Sequence, residues 1–482
     1  MAPHTHFQPP QPSWSSTPYP LLDTLRCSGR YVHKNDEFIY IEGTIDTSKG
    51  PADVLLKTLT PASLQEDPHN CCTKEVLTQE LEDEGELLFR FTTENNGCPI
   101  GPVLYERGRL LLTRREKRKA TAEADSGAAG DRRDSGLPFA LRLLKGGGLN
   151  SDGEEANGLD DIELGGPFLL LEHIRSPEGQ TGATLHGLTA ARAAGGPSAL
   201  SPARYRQVIR DTLAATKAFH ATHDGVKSPS SSGCNIHPTH KFLPPSATCS
   251  SPPYIREKDS SVAGFRLLIH NDMNDNNFVY DSLLRPRIID YQSVQVLVGG
   301  GNFRSAPRTI PPIQCLPPEA FREIAESDWG MMGSPDDQSR DTYAAAVGVL
   351  FLALAGLSAL REDMSALQAG QEKEGNELAD IFVTIPEQWG DKATGKYSRE
   401  RFLQTCDREA RERHQRLLDL LDRIEGVGGL TDEERVDMAV ARALWDKMCV
   451  PNKRRRASID EVIAYMDGIV GGDGEEENLE QT

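Results

Sequence analysis

The chain has 482 residues, with 53 Lys plus Arg against 72 Asp plus Glu, a formal charge of −19, and 38% hydrophobic residues. Such a surface repels phosphate backbones and anionic lipid, which argues against general nucleic-acid or membrane-surface binding. Nine scattered cysteines, odd in number and without a C-x-x-C pair, argue against a disulfide framework and for a reduced, intracellular setting.

In chain order, residues 1–29 read as a disordered segment with neither the basic start nor the apolar run of a secretory signal. Arg30 to Leu59 predicts strands, FIYIEG and ADVLLKTL, flanking a turn-rich TIDTSKGP. Residues 73–91 predict a helix, with Val76, Leu77, Leu81, Leu87, Leu88 and Phe91 as its apolar positions. Val103 to Thr113 predicts two short strands turning around Glu106-Arg107-Gly108, and a low-complexity insertion (117–163) follows. Phe168 to Leu171 predicts a buried strand ending in Glu172-His173, and Tyr205 to His223 an amphipathic helix. After a Ser/Pro-rich insertion (225–262), Phe265 to Ile269 predicts a strand, and Phe278-Val279-Tyr280 with Arg287-Ile288-Ile289 a hairpin. The remainder to Ile469 is mostly helical, and residues 470–482 form an acidic tail expected to be disordered. What is left, roughly 360 residues, suffices for one two-lobed unit with a substantial core.

One stretch challenges this reading. Thr342 to Leu360 is 19 uncharged residues, close to bilayer-spanning length. Its many Ala and Gly residues weaken insertion, and a helix apolar all round also suits a buried core.

The chemistry concentrates in residues 265–297. A strand delivers His270-Asn271-Asp272 and then Asn277, and the second strand of the hairpin delivers Asp290. Two carboxylates and a carboxamide suit phosphoryl transfer, where one acid orients the attacking hydroxyl and an Asn with a second acid holds Mg²⁺. Asp and Asn are also common turn residues, so the H-x-D-x-x-x-x-N spacing alone equally fits an ordinary polar hairpin.

Over most of residues 30–467 the sequence resembles the protein-kinase-like superfamily. His270-Asn271-Asp272 through Asn277 is similar to its catalytic loop, and Asp290-Tyr291-Gln292 stands in the place of D-F-G. The resemblance implies an α+β, bilobal fold: a β-rich lobe over 30–175 and a mainly helical lobe over 176–469. It makes Asp272 the catalytic base, Asn277 and Asp290 the Mg²⁺ ligands, and His270 a packing residue. Val54-Leu55-Leu56-Lys57 resembles V-A-I-K, so Lys57 would grip the ATP phosphates and pair with Glu84, or with Glu80 one helical turn earlier. Glu172, His173 and Ile174 would form the hinge whose main chain binds adenine. Pro317-Pro318-Glu319 resembles A-P-E, Asp341 would open the central buried helix, and Arg456 would pair with Glu319, with Arg454 as the alternative.

Three departures qualify the resemblance. No G-x-G-x-x-G precedes Lys57, where only Gly43 and Gly50 stand, so nucleotide grip would be weak or arranged differently. Asn271 replaces the Arg that would read a phosphorylated activation loop, and Asn274 replaces a Lys. The resemblance implies an intracellular ATP- and Mg²⁺-dependent kinase acting on protein Ser or Thr. The H-N-D and I-D-Y forms also resemble choline and aminoglycoside kinases, and the missing Gly loop leaves a pseudokinase scaffold as a further alternative. Smaller signals have plain readings. His220 and His223 suit a helix cap better than a zinc site with Cys234, His237 and His240. The basic runs 114–119 and 453–456 suit solvated loops, although either would serve nuclear import.

Overall fold

The structure is a computed structural model that describes residues 21, 24–34, 37–59, 74–94, 100–110, 166–175, 183–195, 200–221, 266–298, 313–320, 338–371, 375–382 and 399–471. The expected insertions 117–163 and 225–262, the basic run 114–119, and His223, Cys234, His237 and His240 lie outside these residues. The described residues are α+β, a small antiparallel sheet followed by a mostly helical remainder, and they divide into two compact units between Ile174 and Arg175.

The first unit holds five strands: β1 (Arg26–Lys34), β2 (Phe38–Thr47), β3 (Gly50–Leu59), β4 (Leu104–Leu110) and β5 (Gly166–Glu172). They pair antiparallel in the order β1-β2-β3-β5-β4. β1 begins four residues before the boundary read at residue 30. Ile39, Ile41, Ile45, Val54, Leu56, Phe168 and Leu170 form one buried cluster, as period-two alternation requires. The β2–β3 turn is narrower than the sequence suggests. Thr47 pairs with Gly50, only Ser48 and Lys49 lie between, and Gly50 takes the φ of +112° that glycine tolerates.

Within residues 103–113 the described stretch Leu104–Leu110 is one strand, β4. Gly108 sits in register with Phe168, so Glu106-Arg107-Gly108 runs within the strand. These residues read as a turn but are buried, and Arg107 Nη2 reaches Glu86 at 2.6 Å. Helix α1 (Lys74–Glu94) packs against β4 and β5. Its inward face is Leu77, Leu81, Glu84 and Leu88, four buried positions at helical spacing.

The second unit contains the short sheet β6 (Ala183–Thr184), β8 (Phe278–Tyr280) and β9 (Pro286–Ile288), and the pair β7 (Arg266–Ile269) with β10 (Gln295–Val298). Around them lie α2 (Leu185–Ala194), α3 (Pro202–Ala221), α4 (Ser339–Leu354), α5 (Arg361–Gln368), α6 (Glu377–Phe382), α7 (Arg399–Val427), α8 (Asp432–Ala443) and α9 (Ile459–Gly471). α4 is the hub. It packs against α2, α3 and α8, and of its residues from Arg340 to Leu354 only Thr342 is not buried. The apolar run therefore breaks at Leu354, and the chain bends by 105° into the next helical segment. Among the described residues no single helix is long and apolar enough to cross a membrane; only that bent pair together has the length and composition.

Gly356, at the bend, lies against a buried ion pair. Behind Gly356, Arg192 bonds Asp437 at 2.5 Å and the Leu352 carbonyl at 2.9 Å. A Cβ on Gly356 would lie 2.4 Å from Asp437 Oδ2 and 2.5 Å from Arg192 Nη2. Gly356→Ala should therefore pry apart a buried ion pair and cost about 2 kcal/mol, read as a lowered urea midpoint. An unchanged midpoint would show that the pair can shift aside.

Candidate active site

The topology of the second unit assembles the polar residues. β7 ends at Ile269, opposite Gln295 of β10, so the chain leaving β7 runs beside the chain leaving Asp290. The β8–β9 hairpin pairs Phe278 with Ile288, which sets Asn277 beside Ile289; the Ile289 N–H donates to the Asn277 carbonyl at 2.9 Å. Asp272, Asn277 and Asp290 thus come from three points along the chain to one place. Two of the turns that do this are strained, since Asn271 and Asp290 sit at φ of +64° and +62°.

Asp341 holds the loop from beneath. Fully buried in the first turn of α4, it accepts the main-chain N–H of His270 at 2.6 Å and of Asn271 at 2.8 Å, and contacts His220 Nε2 at 3.2 Å. His220 is therefore a buried link between α3 and α4, not the helix cap its sequence position suggests. His270 packs between Phe219 and Tyr291, with ring centroids 5.6 and 5.5 Å away, and its Nε2 lies 3.1 Å from the Ile289 carbonyl. Asn271 turns inward. Its amide donates to the Ser293 carbonyl at 2.8 Å and its oxygen accepts from Arg340 at 3.1 Å. Arg340 and Ser293 are members of the site that sequence reading missed, though Arg340 stands beside Asp341 in the chain.

Asp272 is held by two carboxamides. Asn274 donates to Oδ1 at 2.7 Å and Asn277 to Oδ2 at 2.9 Å. Burial pushes its carboxyl above the usual range; His270 opposes this, and the negative charge of Asp290 adds to it. Asp275, the next acid along the loop, lies 3.2 Å from His186 Nδ1 at the start of α2 and so ties that helix to the loop. Further on, Arg456 grips Glu319 through both nitrogens at 2.5 and 2.8 Å and covers the Tyr343 ring at 4.8 Å. Arg456, not Arg454, makes this pair.

In the first unit Lys57 and Glu84 form a fully enclosed ion pair at 2.6 Å, with side chains 0% and 2% exposed. The Lys57 ammonium also lies 5.1 Å from the Phe38 ring centroid and 5.2 Å from that of Tyr40. Glu80 is half-buried on the same helix and is not the partner seen. At the expected hinge, the N–H of Glu172 donates to the Val103 carbonyl and that of His173 to the Asp53 carbonyl, at 2.8 and 3.1 Å. Of those three residues only Ile174 keeps its N–H out of these sheet bonds. Neither candidate glycine forms a phosphate loop: Gly43 pairs with Val54 in mid-strand, and Gly50 opens β3.

Beside Glu84 in sequence, Asp83 accepts a bond from Gln79 at 2.8 Å. Burial, with repulsion from Glu82, Glu80 and Glu86, outweighs that bond and pushes its carboxyl from 3.8 up to about 7. A raised acid stabilises the fold fully below its unfolded value and loses that contribution as pH rises through the folded one. Asp83→Asn should therefore be more stable than wild type by about 2 kcal/mol at pH 8.5, with the gap closing towards pH 5, in paired urea titrations. A gap independent of pH would rule out this origin.

The kinase-like resemblance implies Mg²⁺. Among the described residues no three His, Cys, Asp or Glu side chains gather as a metal cluster. Oxygen donors of the required hard type are nevertheless present. The Asn277 nitrogen is committed to the carbonyl and carboxylate of Asp272, both at 2.9 Å, which leaves its oxygen as the end able to face a cation alongside Asp290. Donors of this kind are the hard oxygen ligands that Mg²⁺ takes. No known family model matches the chain, and no curated protein is similar to it.

Proposed function

We propose that the chain is a bilobal, kinase-like phosphotransferase that moves the γ-phosphoryl group of Mg·ATP to a hydroxyl, most directly that of a protein Ser or Thr. The observation that supports this best is that Asp272 and Asn277, on the loop after β7, are brought beside the chain that leads into Asp290, with the carboxamide oriented by Asp272 itself. Asp272 would orient the attacking hydroxyl and accept its proton; its raised carboxyl suits it to that exchange. Asn277 and Asp290 would hold Mg²⁺, while Lys57, steadied by Glu84, would offer its ammonium to the phosphates. Bound Mg·ATP would supply the transferable group and the cation that neutralises its charge. Lacking a glycine loop, the chain should hold nucleotide weakly.

A second reading, a small hydroxylated molecule as acceptor, is favoured by Asn271. Its carboxamide is committed inward, so nothing at that position reads a phosphorylated activation segment. Radiolabelled transfer to generic protein substrates and to a panel of hydroxylated metabolites separates the two. Saturating Mg·ATP should raise the wild-type unfolding midpoint by about 2–4 °C and leave Asp290→Asn unmoved. No shift and no incorporation in wild type would sink the enzyme reading and leave a scaffold.

A further inference from the structure

Away from these residues, a cleft of about 1030 Å³ opens in the second unit between α7 and the segment that precedes α9. Its floor is apolar, built from Pro318, Ala410, Val450 and Pro451. A recess of about 20 Å³ lined by Leu316, Tyr343 and Trp445 shares several of the same lining residues. The rim is cationic: Arg411 on one side and Lys453, Arg454 and Arg455 on the other. Three carboxylates also line it, Glu319, Asp407 and Asp446, but Glu319 is neutralised by Arg456.

Several arginines of this unit are matched to acids: Arg210 with Asp467, Arg416 with Asp380, Arg435 with Asp432. The side chains of Arg411, Arg454 and Arg455 make no ion pair or hydrogen bond among the described residues, and all three are exposed. In a chain of net charge −19 this is a local surplus of cations, four on the lining against three carboxylates. The wall bearing them is also fixed in advance. Arg456 bonds the Val450 carbonyl at 3.0 Å, Asn452 Oδ1 accepts the Arg454 N–H at 3.1 Å, and the Ala457 N–H donates to Lys447 at 2.8 Å. Cations held ready on a rigid wall bind with little ordering cost.

We propose that this cleft docks an acidic peptide segment of a partner protein, with an apolar side chain on the floor and carboxylates against Arg411, Arg454 and Arg455. Arginine forks match carboxylates in pairs, and the floor gives an apolar residue a place that a bare phosphate would leave wet. The overall negative charge opposes a long nucleic-acid backbone far more than a peptide with a few acids. The inference is independent of phosphoryl transfer, because its readout is binding.

A fluorescent twelve-residue peptide of Asp and Glu with one central Leu, titrated with the full chain, tests it by anisotropy. Saturable binding is expected, weakened at least tenfold by Arg454→Glu/Arg455→Glu and by Arg411→Glu, in variants whose unfolding midpoint matches wild type. A Leu→Ser peptide should bind more weakly than the parent. Three outcomes overturn the proposal. The reversed variants bind equally well; a single-stranded oligonucleotide of equal charge binds more tightly; or the peptide binds only a chain ending at Gly471, which would make the acidic stretch from Asp473 to Glu480 the occupant instead.

Discussion

Asp272→Asn should lower phosphoryl transfer by about 10²–10⁴-fold, the range that a positioned general base contributes, while leaving the fold nearly untouched. The side chain is nearly isosteric, so the loop keeps its shape. Two effects on stability oppose each other. Removing a buried charge relieves the burial penalty and the repulsion from Asp290. Yet Asn offers one acceptor where the carboxylate offers two, so either Asn274 or Asn277 loses its bond. The net change should stay within about 1 kcal/mol, checked by urea denaturation beside radiolabelled transfer. Equal label incorporation in mutant and wild type would remove Asp272 from the chemistry. A large loss of stability would instead make it a structural residue.

The second large effect concerns the enclosed pair of the first unit. Lys57→Met leaves the Glu84 carboxyl 2% exposed with its counter-charge gone. Removing one partner of such a pair costs about 3–5 kcal/mol, because the survivor keeps its desolvation penalty without the attraction that offset it. The double replacement Lys57→Met/Glu84→Leu removes both charges and fills the same space, so it should recover most of that loss. Denaturation midpoints of the three proteins decide the matter. A double variant no more stable than the single one would mean that Lys57 and Glu84 act separately. Transfer activity should vanish in both variants, which separates the stabilising role of the pair from its proposed role on phosphate.

Local periodicity made much of this readable. Leu77, Leu81, Glu84 and Leu88 share one helical face, so the acid opposite Lys57 could be narrowed from a run of five to Glu84 or Glu80. The loop from His270 to Asn277 and the hairpin to Asp290 follow from a strand, turn residues and a second strand in short order. What was not readable depends on distant partners. Glu106-Arg107 read as a turn because the sequence does not announce that Glu86, on α1, lies opposite Arg107. His220 read as an exposed cap because its partner Asp341 is 121 positions away. The sheet bonds that occupy the N–H groups of Glu172 and His173 depend on strand register, which composition does not encode.

The carboxylate at the head of the central helix has a wider consequence. Two charge-assisted bonds from Asp341 to consecutive main-chain amides are together worth about 3–6 kcal/mol, so a rearranged loop would be populated in fewer than about one molecule in a hundred. The loop that carries Asp272 and Asn277 therefore behaves as a stiff template cast with the core. Any on–off control of this protein has to govern what reaches that template, since its shape leaves little to switch.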